Sequence, residues 1–457
     1  MTASTQRPRT LFKGATILSM DPAIGDIVNA DLLVDGDRIA AIGAGLDVAD
    51  ADTIDASRAI LMPGFVDAHR HAWQGTLRQL MPNVDTLDAY VQDTHLTLAP
   101  HYRPEDHYVG NLLTALGSLD AGTTTIVDAS HNARSPEHTD ACLDALQDAG
   151  IRALHMPGKP LVGAWAEHWP HDLKRLKSAR FASSDQLLTL GLFCTPDPGI
   201  WAFARETDLR MLIEFLGPMA SMLDGLEDQL GPDQIFNHCT SLPEATWRAF
   251  AERDVRVTVD PRSDAQYALA DGVFAWQQAV DHGMRPGIGT DLETAYGGDM
   301  PTELRVAFAL QRATAQSRRY AGDEAAPAPV RVEDLLRAAA IDGARCAGLD
   351  HRTGSLTPGK QADLILVRTD GISLLGTNNA AGAIVHGADR SNISDVMVAG
   401  RFRKRDGQMV DLNLEGLRRR VEASQDHLLS SVGHVRNPLA SSFGPLSREK
   451  QPAWTGR

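Results

Sequence analysis

The sequence contains no run of about 18 apolar residues, the length that a membrane-spanning helix needs, and no apolar segment of signal-peptide length follows its first ten residues. We therefore expect a cytoplasmic protein. An excess of basic residues is also missing, since 59 acidic side chains outnumber 44 basic ones and the formal net charge is -15. Nucleic acids and anionic membranes both require a basic surface, so neither is expected as a partner.

Paired cysteines are absent as well. The four cysteines have no CxxC or other paired spacing, and they stand at Cys142, Cys194, Cys239 and Cys346. This scatter argues against zinc fingers and disulfide frameworks and is typical of reduced residues in a core. The 457 residues are 43% hydrophobic and 23% charged, which is enough apolar material for a large globular protein.

Two β-rich segments flank the central part of the chain. The first has short runs at 10–18, 30–34, 38–42 and 53–55, and a matching set returns at 362–367, 383–386, 396–398 and 401–403. We interpret them as two halves of one small antiparallel sheet. Because these halves are far apart in sequence, the segment between them is expected to form a compact insertion whose ends lie close together.

The central segment alternates strands and helices. Eight strands are predicted, at 65–69, 124–128, 152–155, 187–193, 210–215, 235–238, 255–259 and 286–291. Amphipathic helices such as 137–149 and 243–253 lie between them. Eight such units over roughly 290 residues predict a (β/α)8 barrel, whose active site lies at the carboxyl ends of its strands.

The predicted fold class is therefore α/β, a TIM-type barrel joined to a small β-sandwich domain that both ends of the chain build. The domain boundaries that we predict are 1–62 and 353–412 for the two halves of the small domain, and 63–352 for the barrel. A helix at 414–429 and a tail rich in proline, serine and glycine then make up 413–457.

Polar side chains gather where the barrel strands are predicted to end. His69 and His71 are separated by one residue, so on a strand they share a face and can bind one metal ion together. The other polar residues at strand ends are Asp128, His131, Glu214, His238 and Asp291. One such residue alone is usually a structural hydrogen-bonding group, but the set indicates a catalytic metal site.

These motifs resemble the amidohydrolase superfamily, in its cytosine deaminase and chlorohydrolase-like branch. The resemblance covers nearly the whole chain and rests on PGFVDAHRH at 63–71, AGTTTIVD at 121–128, NHC at 237–239, GIGTD at 287–291 and GSLTPGKQADLILV at 354–367. It implies one divalent ion, zinc or iron first and cobalt or manganese as alternatives. It also implies a small-molecule substrate, and we expect a homodimer or a higher homo-oligomer.

Carried over residue by residue, the resemblance implies that His69, His71 and Asp291 are metal ligands. His238 lies beside the water or substrate and is a further ligand candidate. In that branch a histidine of strand five is also a ligand, and a glutamate three residues later shuttles protons. Strand five here has no histidine, and counting back three residues from Glu214 reaches Met211, whose thioether is a poor ligand for a hard ion.

Two interpretations of Glu214 follow from this departure. In the preferred one it shuttles protons and the site has lost a ligand, which His238 or His131 replaces. In the other it takes the vacant ligand position itself. A bridging lysine is absent from the end of strand four, at 192–197, so we expect one metal ion and not two.

Four further residues are predicted to contact substrate. Trp73 and Gln74 follow the two histidines, and a flat aromatic ring beside an amide suits a planar molecule, although Trp73 fits the core equally well. His131 ends strand two, and Asp260 follows strand seven, where members of this branch place substrate-selecting residues.

The predicted catalytic groups are Asp291, His238 and Glu214. Asp291 takes a proton from the attacking water, His238 polarises the substrate and Glu214 protonates the leaving nitrogen. We therefore predict a hydrolase that cleaves a non-peptide C–N bond of an amide, urea, carbamate or cyclic amidine. The alternative is a deaminase that releases ammonia from a purine, pyrimidine, pterin or triazine. A catalytically silent barrel is disfavoured because His69, His71 and Asp291 are all present.

Overall fold

The computed structural model describes residues 9–162, 169–269 and 273–439. The first eight residues and the end of the predicted tail, 440–457, lie outside the described residues. Its strands are β1 (Arg9–Leu18), β2 (Asp26–Asp35), β3 (Arg38–Gly43), β4 (Asp52–Asp55), β5 (Ala59–Pro63), β6 (Phe65–Arg70), β7 (Thr123–Ser130), β8 (Arg152–Pro157), β9 (Leu188–Phe193), β10 (Arg210–Phe215), β11 (Gln234–His238), β12 (Arg256–Val259), β13 (Gly287–Ile288), β14 (Leu364–Arg368), β15 (Ile393–Val398), β16 (Arg401–Arg405) and β17 (Gln408–Met409).

The α-helices are α1 (Leu87–Tyr90), α2 (Pro104–Asp120), α3 (Pro136–Ala149), α4 (Asp172–Arg180), α5 (Pro198–Glu206), α6 (Glu244–Glu252), α7 (Pro261–Gln266), α8 (Trp276–Asp281), α9 (Met300–Tyr320), α10 (Val332–Ala338), α11 (Ile341–Cys346), α12 (Ala380–Gly382) and α13 (Leu414–Ser431). None of the helices in the described ranges combines the length and the apolarity that crossing a membrane would take.

The predicted eight-stranded barrel is confirmed. Strands β6 to β13 lie in chain order, and every neighbouring pair is parallel. A parallel bridge between Arg70 and Asp291 brings the first and last strands together. The surrounding helices bury their apolar side chains against the strands, as Trp247 and Phe250 of α6 show. Parallel strands covered on both faces are long apolar runs, which is why the sequence pattern located them.

The small domain is one nine-stranded sheet in which both ends of the chain meet. Strand β5 lies between β1 and β14, so its Leu61 pairs with Ile17 on one side and with Leu366 on the other. Strand β3 also contacts the segment before β14, because the Ile39 amide donates to the Lys360 carbonyl at 3.0 Å. The predicted antiparallel sheet is confirmed in most of its strand pairs, and β1 in addition runs parallel to β4 and β5.

One predicted strand is a helical segment instead. Residues 383–386 belong to a π-helical turn, Ala383–Gly387, that continues α12. The Asn379 side chain accepts from the Gly382 amide and so caps this helical start. Ile384 and Val385 are buried, and Arg305 of α9 donates to the Val385 carbonyl at 3.1 Å. Three apolar residues followed by His386 are too few for their periodicity to separate a strand from a buried helical turn.

A buried ion pair joins the barrel to the small sheet. Arg152, the first residue of β8, donates to both carboxylate oxygens of Asp363, at 2.6 and 3.0 Å. Neither side chain is exposed. Asp363 Oδ1 also accepts from the Ala399 amide at 2.7 Å, so the pair links β8 to the segments that carry β14 and β15.

Replacing Asp363 with alanine is expected to lower the free energy of unfolding by about 3–5 kcal/mol, because the Arg152 guanidinium would stay buried without its counter-charge. The matched control is Asp52→Ala, which breaks an exposed pair with Arg405 of 2.7 Å and should cost less than about 1 kcal/mol. Urea unfolding of both variants measures the difference. Equal losses in the two variants would contradict the structural importance of the buried pair.

Candidate active site

The two histidines predicted to bind a metal ion lie at the carboxyl end of β6. His69 is fully buried and His71 is 4% exposed. Nδ1 of His71 lies 3.0 Å from the Ala129 carbonyl, to which it donates, so its Nε2 is the nitrogen left for the site. The two imidazoles meet edge to face, with ring centroids 4.9 Å apart.

Asp291 reaches the same place from the loop after β13. Its amide donates to the His69 carbonyl at 2.9 Å, and its own carbonyl accepts from the His71 amide at 2.7 Å. Ser263 Oγ donates to Asp291 Oδ2, which leaves Oδ1 directed at the imidazoles. The φ angle of Asp291 is +61°, and His238 at the end of β11 has +64°. Such left-handed conformations are costly for residues other than glycine and concentrate at functional sites.

Glu214, near the end of β10, supplies a second carboxylate. Its Oε1 lies 3.0 Å from His71 Nε2 and 3.4 Å from His69 Nε2. Asp291 Oδ1 lies 3.2 and 3.4 Å from the same two nitrogens. Four atoms, two nitrogens and two oxygens, therefore surround one point.

These donors fit a divalent metal ion. Within the described residues, His69 Nε2, Glu214 Oε1 and Asp291 Oδ1 are buried and have no hydrogen-bond partner. Buried polar atoms of native proteins are almost always paired, so a shared cation is the simplest account of three such atoms around one point. Imidazole and carboxylate are also the donor types that zinc and iron accept.

The ionisation behaviour of three of the four groups points the same way. Burial lowers the pKa of His71, but the carboxylates of Asp291 and Glu214 outweigh it and raise that pKa well above the usual value. Burial raises the pKa of Glu214 and of Asp291, yet the two imidazoles bring both carboxyl pKa values well below the usual value. The cluster therefore favours positive charge at its centre.

His238 faces the metal pair from β11. Its ring centroid is 5.7 Å from that of His69, and its ligand atom groups with those of His69 and Asp260. Nδ1 of His238 donates to Asp264 Oδ1 at 2.8 Å. Burial lowers the pKa of His238, but Asp264 outweighs it and raises that pKa to about 9. His238 is thus held as a hydrogen-bond donor beside the cluster.

His131 lies beside His71 and within a stack of rings. It is sandwiched between His95 and Phe193, at centroid distances of 4.8 and 4.9 Å, and meets His71 edge to face at 4.7 Å. Burial lowers the pKa of His131 to about 4, so this ring is neutral at physiological pH. The site is therefore lined on this side by flat, uncharged rings.

Three of the residues predicted to contact substrate are fully buried. Trp73 and Gln74 have no exposed surface; the indole packs on His131 and His95, and the amide of Gln74 donates to Tyr90. They support the stacked rings from behind. Asp260 is also fully buried, 3.4 Å from His238 Nδ1, and so stands behind that histidine.

Sequence reasoning missed the residues that hold these side chains in place. Asp264, the partner of His238, stands four residues after Asp260 in the same DPRSD stretch, which was a usable signal. Arg70, between the two histidines, is fully buried; it pairs with Glu293 and Thr290 and lies 3.5 Å from Asp67. Only a structure reveals those distant partners.

The chain is similar to known proteins over most of its length. The pattern of the Amidohydrolase family matches residues 207–403. The 5-methylthioadenosine/S-adenosylhomocysteine deaminase of Desulforudis audaxviator is 28% identical over 93% of this chain and 100% of its own. The 5'-deoxyadenosine deaminase of Methanobrevibacter smithii is 25% identical over 92% and 98%.

Solved structures share the fold. An adenosine deaminase from Xanthomonas campestris with bound zinc superposes with a TM-score of 0.80 at 21% identity, over 93% of this chain and 99% of that one. The atrazine chlorohydrolase of Arthrobacter aurescens TC1 complexed with zinc gives 0.79 at 22% identity, over 91% and 100%. Together with the motifs and the barrel, these matches show that the chain is similar to metal-dependent hydrolases of the amidohydrolase superfamily over most of its length.

Proposed function

We propose that the protein hydrolyses a C–N bond at a ring carbon of a small nitrogen heterocycle and releases ammonia or an amine. The observation that carries this proposal is the convergence of two imidazoles and two carboxylates at the carboxyl end of the barrel. The nucleoside deaminases among its relatives favour the deaminase alternative over cleavage of an amide, urea or carbamate.

His69, His71 and Asp291 would hold one divalent ion, zinc or iron, with His238 as the neighbouring candidate ligand. Such an ion lowers the pKa of a water molecule and polarises the group that the water attacks. Asp291 accepts the proton of the attacking water and passes it to the leaving nitrogen. His238, oriented by Asp264, donates a hydrogen bond to the substrate. The faces of the neutral His131 ring are covered by His95 and Phe193, so this residue would meet the substrate only with its edge.

The substrate proposal is tested by measuring ammonia release from 5'-deoxyadenosine, 5-methylthioadenosine and S-adenosylhomocysteine, with aminotriazines, ureas and amides in parallel. The expected result is release from at least one aminated ring and none from the acyclic compounds. Turnover of ureas or amides alone would overturn the deaminase proposal and restore the amide-type hydrolase as the first interpretation.

The double variant His69→Ala/His71→Ala is expected to lose its metal, because two of the converging donors disappear. Elemental analysis of purified protein measures this, with wild type expected to carry about one ion per chain. His351→Ala, which removes an exposed imidazole, is the control and should keep its metal. Wild-type metal content in the double variant would show that the ion binds elsewhere.

Asp291→Asn is expected to lower hydrolysis by about two to four orders of magnitude at every pH, because the amide cannot accept the proton of the attacking water. The variant should stay folded and hold a reduced amount of metal through its amide oxygen. A pH–rate profile measures the effect, and Asp370→Asn, at an exposed site, serves as the control. Near wild-type rates in Asp291→Asn would remove this residue from the mechanism.

The remaining predictions extend beyond the site. We propose a cytoplasmic homodimer or higher homo-oligomer, which sedimentation of the purified protein would test.

We also propose that the small domain comprises 1–62 and 353–412, the barrel 63–352, and a C-terminal helix and tail 413–457. Limited proteolysis at those boundaries would test this division.

A further inference from the structure

We propose that Glu214 is itself a ligand of the metal ion, in the position that a histidine of strand five occupies in the family pattern. The site would then hold its ion with two imidazoles and two carboxylates, and the proton-shuttling glutamate of the pattern would have no counterpart at its usual place. This inference rests on the proposed metal-dependent function and specifies how that site binds its ion.

The distances between donor atoms support a ligand role. Tetrahedral ligands bonded at about 2.0–2.1 Å stand about 3.3–3.4 Å apart. Glu214 Oε1 is 3.0 and 3.4 Å from the two imidazole Nε2 atoms, and Asp291 Oδ1 is 3.2 and 3.4 Å from them. The two carboxylates thus stand in the same relation to the histidine pair, and Asp291 is the ligand that the motif predicts.

The burial of single atoms supports the same role. The Glu214 side chain is 32% exposed as a whole, yet its Oε1 is buried and has no hydrogen-bond partner among the described residues. A group that only shuttles protons needs its acidic atom in reach of water and substrate. Here one oxygen is directed into the cluster of donors and the rest of the side chain faces the opening.

The alternation of β10 excludes the register in which Met211 would be the ligand. Met211, Ile213 and Phe215 belong to the core between the strands and the helices, where Trp201 of α5 also lies. Leu212 belongs to a separate cluster on the other face, so Glu214 shares the face of Leu212. The side chain of Met211, three residues before Glu214, therefore points away from the site.

The position three residues after Glu214 cannot carry a shuttle either. It is Gly217, and a Cβ atom built there would lie 2.2 Å from the carbonyl oxygen of Ser241. The Gly217 amide donates to the Thr240 carbonyl at 2.8 Å, which holds the two loops at that separation. Any side chain at 217 would force the loops after β10 and β11 apart. The ligand position on β10 is therefore that of Glu214. No side chain fits three residues later, where the proton-shuttling glutamate of the family pattern would stand.

A second carboxylate changes the metal preference. Carboxylate oxygen is a harder donor than imidazole nitrogen and suits manganese and iron better relative to zinc. Replacing Glu214 with histidine restores the donor type of the family pattern in nearly the same place. The Glu214→His protein should therefore still bind metal and prefer zinc more strongly than wild type does.

The decisive experiment measures metal binding and not turnover. Zinc, manganese and cobalt affinities are determined by chelator competition for wild type, Glu214→Ala, Glu214→His and the exposed control Glu227→Gln. We expect Glu214→Ala to lose more than about 100-fold in affinity, beyond the 10–100-fold typical of outer-shell partners, and the control to lose nothing. Glu214→His should recover zinc binding, and the visible absorption bands of its cobalt form should shift, because a nitrogen replaces an oxygen on the ion.

The outcomes separate the two levels of the proposal. Wild-type affinity in Glu214→Ala, or a cobalt spectrum unchanged in Glu214→His, would overturn the ligand role and return Glu214 to proton transfer. A wild-type protein that binds none of the three ions would overturn the proposed function itself. Thermal unfolding of the metal-free variants checks their folding, and a Glu214→Ala protein that fails to fold leaves the decision to the cobalt spectrum of Glu214→His.

Discussion

Two carboxylates and two imidazoles share a buried space only a few ångströms across, and this crowding governs the rest of the site. Like-charged carboxylates in an apolar surround repel each other and lose their hydration, so the arrangement is stable only with positive charge between them. A bound metal ion would supply that charge and leave the imidazoles neutral. Glu214 Oε1 and Asp291 Oδ1 have no hydrogen-bond partner among the described residues, and a cation bound between them would pair with both.

The barrel holds these donors through contacts that lie outside the cluster. The backbone of Asp291 exchanges hydrogen bonds with His69 and His71. The pairing of the first and last strands therefore sets the distance between Asp291 and the two histidines. Arg70 faces away from the metal pair and pairs with Glu293, which in turn binds Arg78 at 2.7 Å. Because side chains alternate along β6, the two histidines face one side of the strand and Arg70 faces the other.

The sequence pattern predicted the elements well because buried parallel strands are apolar runs whose ends carry the polar residues. His69, His71, His238 and Asp291 all meet where that logic placed them. The logic failed for 383–386, where a short apolar run suits a helical turn as well as a strand. For Trp73 the pattern left contact with substrate and a place in the core open, and the structure shows the indole fully buried.

The role of Glu214 was beyond sequence reasoning for a different reason. The family spacing of ligand and shuttle can be matched in two ways, with Met211 as ligand and Glu214 as shuttle or with Glu214 as ligand and position 217 as shuttle. Both matches are consistent with the sequence until the orientation of the β10 side chains is known. Once Met211 lies among the helix-facing residues and Gly217 is closed by Ser241, only one register remains. A divalent ion between two carboxylates is then balanced in charge, whereas a third histidine in place of Glu214 would leave one positive charge in excess. A neutral centre acidifies water less than a cationic one, and so, with Glu214 as the proposed ligand, the chemistry of this chain would depend more heavily on a positioned base such as Asp291.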